Sequence, residues 1–188
     1  MAKVYEFIAP GSEEIEALTV VDVLRRAGID IKTVSILPTR EVTLSHGVTI
    51  VCDTTAGETD FSDADMLLLP GGLPGATNLN DCEAVREALL KQDAASKKYG
   101  AICAAPLVLG SLGLLNGKRA TCYPGFEDQM TGADYTAEIY TIDGNTITGC
   151  GPAATLPYSY AILEMLGYEG EAAVLREGMM FNKLLGAE

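Results

Sequence analysis

A cysteine stands where a buried strand turns into a helix, in Tyr99-Gly100-Ala101-Ile102-Cys103-Ala104-Ala105-Pro106. The apolar run into Cys103 follows the polar Ser96-Lys97-Lys98 and reads as a central parallel strand. Pro106-Leu107-Val108-Leu109-Gly110 reads as the opening of a helix. A side chain at such a junction sits at the carboxyl edge of a sheet, where open α/β folds bind ligands. A thiol there faces the positive end of a helix, which favours thiolate and nucleophilic chemistry. The same pattern also fits a small buried hydrophobe, because free cysteine is among the most buried residue types. Three glycine-rich turns lie near strand ends: Gly11-Ser12-Glu13, Pro70-Gly71-Gly72 and Gly151-Pro152-Ala153. Glycine lets backbone N–H groups come close to a ligand. The N–H groups of Gly72 and Ala104 could then form an oxyanion hole beside the Cys103 sulfur. The plainer alternative is that Gly71 and Gly72 serve only the turn.

The elements that must position these residues alternate between strand and helix patterns. A first strand, Lys3 to Ile8, leads to a helix from about Glu13 to Ala27. Ser12 suits its N-cap, Glu13 and Glu14 its first turn, Arg25 and Arg26 its last, and Gly28 the position just beyond. A second strand, Ile29 to Ile36, precedes a short hairpin, Val42 to Leu44 and Val48 to Cys52, turning at Ser45-His46-Gly47. Met66-Leu67-Leu68-Leu69 is apolar throughout, as buried parallel strands are. A helix starts near Asn80, where Asn80 and Glu83 resemble a capping box, and runs to about Lys97. After the Cys103 strand and its helix comes a short strand, Lys118 to Thr121. Ile139 to Ile142 and Thr146 to Thr148 flank the hairpin signal Asp143-Gly144-Asn145. A helix from about Ala154 to Leu166 stops at Gly167, and a last helix spans Glu171 to about Leu185. This order predicts one α/β domain over residues 1–188, a mostly parallel sheet with helices on both faces.

Composition removes several function classes. The net charge of −13, from 13 basic and 26 acidic residues, is the opposite of what a phosphate backbone demands. Nucleic-acid binding through charge is therefore not expected. The longest apolar stretch, Ala101 to Leu115, is broken by Pro106, Gly110, Ser111 and Gly113, which predicts no membrane span. Met1-Ala2-Lys3 runs directly into strand-like sequence, without a signal-peptide pattern. Cys52, Cys82, Cys103, Cys122 and Cys150 show no CxxC spacing, which points to a reducing cytoplasm rather than a disulfide framework or zinc site. One histidine, His46, cannot build a multi-histidine metal centre. There is no P-loop and no GxGxxG after a strand, so neither cofactor nor metal is expected.

Gly11-Ser12-Glu13-Glu14-Ile15-Glu16, Leu69-Pro70-Gly71-Gly72, Ala101-Ile102-Cys103-Ala104-Ala105-Pro106 and Gly151-Pro152, in that order, resemble the DJ-1/ThiJ/PfpI superfamily. The resemblance is greatest to its DJ-1-like branch, which includes bacterial ThiJ-type members. It implies a flavodoxin-like (class I glutamine amidotransferase-like) sandwich and a homodimer. It also implies Cys103 as nucleophile on a strained elbow, with Gly72 and Ala104 as backbone donors. Glu16 would be a protonated acid hydrogen-bonded to the thiolate. Physical chemistry is consistent with that pairing. Glu16 lies early in the first helix, near the same sheet edge, where burial raises a carboxyl pKa. A neutral Glu can donate to sulfur and stabilise a thiolate or a sulfinate. On periodicity alone Glu16 reads as a solvated helix residue, with Glu13 and Glu14 serving the helix N-terminus.

The chain also departs from the pattern. In Thr121-Cys122-Tyr123-Pro124, Tyr123 holds the place of the family's pocket histidine. A phenol with a pKa near 10 is a poor base at neutral pH, though it can donate a hydrogen bond. His46 falls where the family has an arginine near the pocket, and Ala104 where the protease and chaperone branches carry a histidine. Protease and general hydrolase activity therefore rank low. Cys122 and Cys150 read as buried thiols. The function this implies is stress-response chemistry of the glyoxalase or deglycase type. The substrate would be a small reactive aldehyde such as methylglyoxal, or its adduct, attacked by Cys103 with Glu16 as acid and base. The alternatives are a redox sensor or chaperone whose cysteine oxidises without turnover, and a non-catalytic interaction subunit. No residue argues for thiazole biosynthesis.

Overall fold

The computed structural model describes residues 1–186. In chain order the elements are β1 (Lys3–Ile8), α1 (Glu14–Arg26), β2 (Asp30–Ser35), β3 (Glu41–Thr43), β4 (Thr49–Val51), β5 (Thr54–Thr55) and β6 (Met66–Leu69). There follow α2 (Gly75–Asp81), α3 (Glu83–Ala94), β7 (Lys98–Ile102), α4 (Pro106–Ser111), β8 (Arg119–Ala120) and β9 (Asp134–Tyr135). The chain closes with β10 (Tyr140–Asp143), β11 (Thr146–Gly149), α5 (Thr155–Met165), α6 (Glu169–Gly178) and α7 (Phe181–Leu184). The main sheet has seven strands in the order β10-β11-β7-β6-β1-β2-β5. Every pairing in it is parallel except β10 with β11, which the Asp143–Thr146 turn joins as a hairpin. The fold is flavodoxin-like. Among the described residues no helix is long and apolar enough to cross a membrane.

Side-chain alternation along the strands builds two cores. On one face Phe7, Leu67, Leu69 and Tyr99 pack against Leu79, Leu89 and Leu109 of α2, α3 and α4. On the other, Val4, Met66, Leu68 and Ile102 meet Val20 and Leu24 of α1 and Ile162 of α5. The all-apolar β6 lies near the middle because both its faces are covered.

Four elements differ from the sequence pattern. Glu13, not Ser12, caps α1: its carboxylate accepts from the Glu16 amide at 2.9 Å. The Ser12 hydroxyl is already engaged, accepting from the Ala9 amide at 3.1 Å and closing the turn after β1. The helix predicted from Asn80 is two helices, because Cys82 is extended (φ −81°, ψ 111°). Asn80 belongs to α2, and its side chain accepts from Ser111 Oγ at 2.7 Å instead of capping. Ser96 takes a positive φ of 55°, which ends the α3 connection and lets Lys98 open β7. The last helix begins at Glu169 and breaks at Met180, whose φ is 62°. The strand predicted over Lys118 to Thr121 forms, but outside the main sheet, where β8 pairs only with β9.

Candidate active site

Cys103 immediately follows β7 and adopts φ 64°, a conformation non-glycine residues rarely take. Such a residue costs about 1–3 kcal/mol and persists only where its surroundings hold it. Here both neighbours do so. The Cys103 amide donates to the Gly149 carbonyl at 2.9 Å, and its carbonyl accepts from the Tyr123 amide at 2.8 Å. The bend ends β7 and lets Pro106 start α4. The Cys103 Cβ lies against Gly71, and the residue is 8% exposed.

Two interwoven turns bring the other residues to this point. The Glu13 amide donates to the Gly71 carbonyl at 3.0 Å, and the Gly75 amide to the Gly11 carbonyl at 3.2 Å. Gly72 has φ 81°, and a Cβ there would stand 2.6 Å from the Glu13 amide nitrogen, so this crossing admits only glycine. The crossing holds the first turn of α1 beside the end of β6. Glu16 then points inward, fully buried, and its Oε2 accepts from the Gly71 amide at 2.8 Å. Its Oε1 has no conventional hydrogen-bond partner, and the carboxyl faces the Cys103 thiol closely enough to shift both groups. The amides of Gly72 and Ala104 are both directed at the sulfur. Cys103, Glu16, Gly71, Gly72 and Ala104 are therefore one group in space.

The electrostatics correct one expectation. The helix end was expected to ionise the thiol. Instead burial, and then the Glu16 carboxylate, push Cys103 up to about 12, against the opposing pull of the Gly72 and Ala104 amides. Burial raises Glu16 to about 7, partly offset by its hydrogen bonds with Cys103 and Gly71. These are two acids that cannot both ionise at neutral pH, so they titrate as a pair. As pH passes about 7 the pair loses its first proton, chiefly from Glu16, and the second stays mostly on the sulfur, with thiolate beside a protonated Glu16 as the minor form. With that proton on Glu16 the carboxylate no longer opposes the thiolate, while both amides still favour it.

The remaining predicted residues lie further out. Tyr123 borders the site through its backbone bond to Cys103, and its ring packs 3.2 Å from where a Cβ on Gly151 would stand. The residue is 46% exposed, so the phenol sits on the rim rather than behind the sulfur. His46 is not beside the thiol. It occupies the β3–β4 turn, where its amide donates to Glu14 Oε1 at 2.6 Å and its Nδ1 lies 2.8 Å from Glu14 Oε2. Glu14 therefore clasps the hairpin rather than the helix end, and these bonds hold its carboxyl at about 2. Cys122 is fully buried and pushed up to about 12 by burial.

Two residues escaped the sequence reading. Glu6, in the middle of β1, is buried with Oε2 unpaired, and Tyr158 of α5 is buried with its hydroxyl unpaired. Burial, and then the Glu16 charge, keeps Glu6 protonated well above the usual carboxylate range. A lone Glu inside an apolar strand was the available signal. A separate cleft of about 450 Å³, lined by Phe61, Ala88, Lys91 and Gln92 among others, shares no residue with the Cys103 group.

The DJ-1/PfpI family model matches residues 2–165. The chain is 39% identical to Protein DJ-1 homolog B of Arabidopsis thaliana over 161 residues, 85% of this chain but only 37% of that protein. It thus spans well under half the length of that relative. It is 32% identical over 157 residues to the Caenorhabditis elegans protein named Glutathione-independent glyoxalase DJR-1.2, covering 82% of this chain and 83% of that one. Among solved structures, oxidized Toxoplasma gondii DJ-1 superposes with a TM-score of 0.92 at 31% identity, over 96% of this chain and 98% of that one.

Proposed function

The chain belongs to the DJ-1/PfpI family, and on that premise we propose that it converts small 2-oxoaldehydes such as methylglyoxal to 2-hydroxy acids, or releases them from their adducts, without glutathione. The observation that carries this reading is a strained cysteine facing a buried carboxyl that gains and loses its proton near neutral pH. The sulfur adds to the aldehyde carbon, and the Gly72 and Ala104 amides hold the new oxyanion. Once the oxygen is protonated, the adduct is a hemithioacetal. Glu16 takes the proton from the former aldehyde carbon and returns it to the neighbouring carbon, which leaves a thioester and a hydroxyl group. Water then cleaves the thioester, releasing the hydroxy acid and restoring the thiol. Tyr123 on the rim can donate to the second carbonyl but does not replace Glu16 as base. A relative bearing the glyoxalase name supports the same chemistry.

The test is lactate formed from methylglyoxal. Cys103→Ser falls to background, and Glu16→Gln loses roughly 10²–10⁴-fold of turnover. Equal rates in wild type and both variants remove the proposal. If wild type also forms no lactate but Cys103 gains two oxygens under mild peroxide, the redox-sensing reading replaces it.

The working form in this reading is a homodimer built on α1. Ile15 and Leu18 are 54% and 39% exposed on that helix and border an apolar depression with Leu156 and Met179. Such residues on one helix face are ready material for an isologous contact. Ile15→Glu should convert a dimer to a monomer in size-exclusion chromatography with light scattering. An unchanged dimer would exclude this face, and a monomeric wild type would exclude the dimer.

A further inference from the structure

Glu6 and Tyr158 are buried, ionisable and used by no step above. Side chains alternate along β1, so Glu6 shares with Val4 the face that α1 and α5 cover. Glu6 pairs in register with Leu68 of β6, and Leu68 with Gly100 of β7. Gly100 makes room for a phenol: a Cβ there would stand 2.6 Å from the Tyr158 hydroxyl. The glycine thus leaves a place on the sheet that Tyr158 of α5 enters, two strands from Glu6. Tyr158 Oη and Glu6 Oε2 are both sealed from solvent, and neither makes a hydrogen bond among the described residues.

A hydroxyl and a carboxyl so placed cost free energy unless something compensates them. One such atom alone would be a packing defect, but here two occur on one face of the sheet. Neighbouring strands lie about 4.8 Å apart, which sets Glu6 and Gly100 about 10 Å apart at the backbone. Glu6 is the first charge to act on the Tyr158 phenol and Glu16 the second, so the three groups lie together. Polar ends that stop short of a direct bond in a sealed interior are the usual hosts of an internal water. Glu16 has room for one more donor. A carboxylate offers about four lone-pair sites, and the Gly71 amide and the facing Cys103 thiol engage only two. The other ionisable groups that face the two carboxyls are Glu13 and Arg25 from the α1 segment, Cys52 after β4 and Cys150 after β11. Arg25 is paired with Asp53 at 2.6 Å.

We propose that Glu6 and Tyr158 hold an internal water behind Glu16 and, through it, position the Glu16 carboxyl against the Cys103 sulfur. Tyr158 and a neutral Glu6 are both donors, and a water can accept from each. Its own two hydrogens are then free, and one meets the Glu16 carboxylate. The bridge favours the ionised form of Glu16, because a donated hydrogen bond stabilises a carboxylate more than the neutral acid. Neither residue touches substrate, and both act only through Glu16. The inference deepens the reading of Glu16 as acid and base. It is measured on the thiol itself, so a protein that labels as expected but forms no lactate keeps this bridge and loses only the reaction.

The test is the pH profile of iodoacetamide labelling at Cys103 in wild type, Glu6→Gln, Tyr158→Phe and the double variant Glu6→Leu/Tyr158→Phe. A high-resolution crystal structure of the wild type accompanies it. The double variant replaces both unpaired groups by apolar side chains of similar shape, so it should fold and melt no lower than wild type. Its labelling step should nevertheless rise from near 7 by about one pH unit. Tyr158→Phe should move the step in the same direction by less. Glu6→Gln retains a donor at the same place and should keep the wild-type step. The crystal structure should show a water within hydrogen-bond distance of both Glu6 and the Tyr158 hydroxyl. A purely structural role would change melting and leave the step where it was. A double variant whose step stays near 7 would overturn the proposal. So would a Glu6→Gln step displaced as far as that of the double variant, or a dry contact between Glu6 and Tyr158.

Discussion

Glu16→Gln will move the pH threshold for alkylation of Cys103 from near 7 to above the ordinary thiol range. The sign follows from which group loses a proton first. Below about 7 both members of the pair are protonated, the site is neutral, and alkylation is slow. Above it the pair carries one negative charge, held mostly on Glu16 with a minor thiolate form, so the rate rises and then levels off. The second proton is held until far higher pH, since each charge opposes the other. Gln cannot lose a proton, so the step near 7 has no owner in the variant. Removing the carboxylate also removes one of the forces that raise the thiol. Burial, the largest of them, remains, and the thiol stays above its ordinary value of about 8.5. The variant should therefore show no levelling above about 7, and its rate should climb steadily through mildly alkaline pH toward the thiol's own value. The measurement is the rate of iodoacetamide labelling at Cys103, followed by intact mass across roughly pH 5 to 10. A variant that keeps the wild-type step would show that the proton near 7 belongs to another group.

That pair also marks the boundary of what the sequence discloses. The β6 strand reads directly because Met66-Leu67-Leu68-Leu69 is buried on both faces, and a wholly apolar run between turns has few other uses. The strand-to-helix turn at Cys103 was readable for a related reason, since Pro106 can start a helix but not continue the strand. Caps were less readable. Ser12 and Glu13 are both competent N-caps, and the choice was made by the Ala9 amide, which occupies the Ser12 hydroxyl. The break at Cys82 was hidden because Asn80 and Glu83 imitate a capping box across two helices. Burial of Glu16 could not be read from helical periodicity. It depends on the turn after β6, where the Gly71 amide donates to the carboxylate. The thiol's upward shift was invisible for the same reason, because desolvation and a facing carboxylate are properties of the assembled site. The pairing of Glu14 with His46 joins residues 32 positions apart and exists only once the hairpin folds back on α1.

Gly71→Ala should disable the site while Glu16 and Cys103 both remain in the chain. Gly71 has no positive φ, so its glycine is needed for space rather than conformation. A methyl there would stand 2.6 Å from Cys103 Cβ, 2.7 Å from Glu16 Oε2 and 2.8 Å from the Ile102 carbonyl. Cys103 Cβ and the Ile102 carbonyl belong to the held elbow and can barely yield. Glu16 Oε2 can move, but only by leaving the Gly71 amide that fixes it. The expected outcome is loss of the coupled titration: the alkylation step near 7 disappears, as in Glu16→Gln. Overpacking of this kind also costs about 1–3 kcal/mol, read as a lower melting temperature. Gly170→Ala is the control, since a Cβ there meets nothing within 4 Å and the residue lies in α6. It should raise stability by up to about 1 kcal/mol and leave the alkylation profile unchanged. If Gly71→Ala keeps both its melting temperature and its step near 7, then Glu16 does not need the Gly71 amide to face the sulfur. The close approach of β6 to the elbow would then not be what couples the two acids.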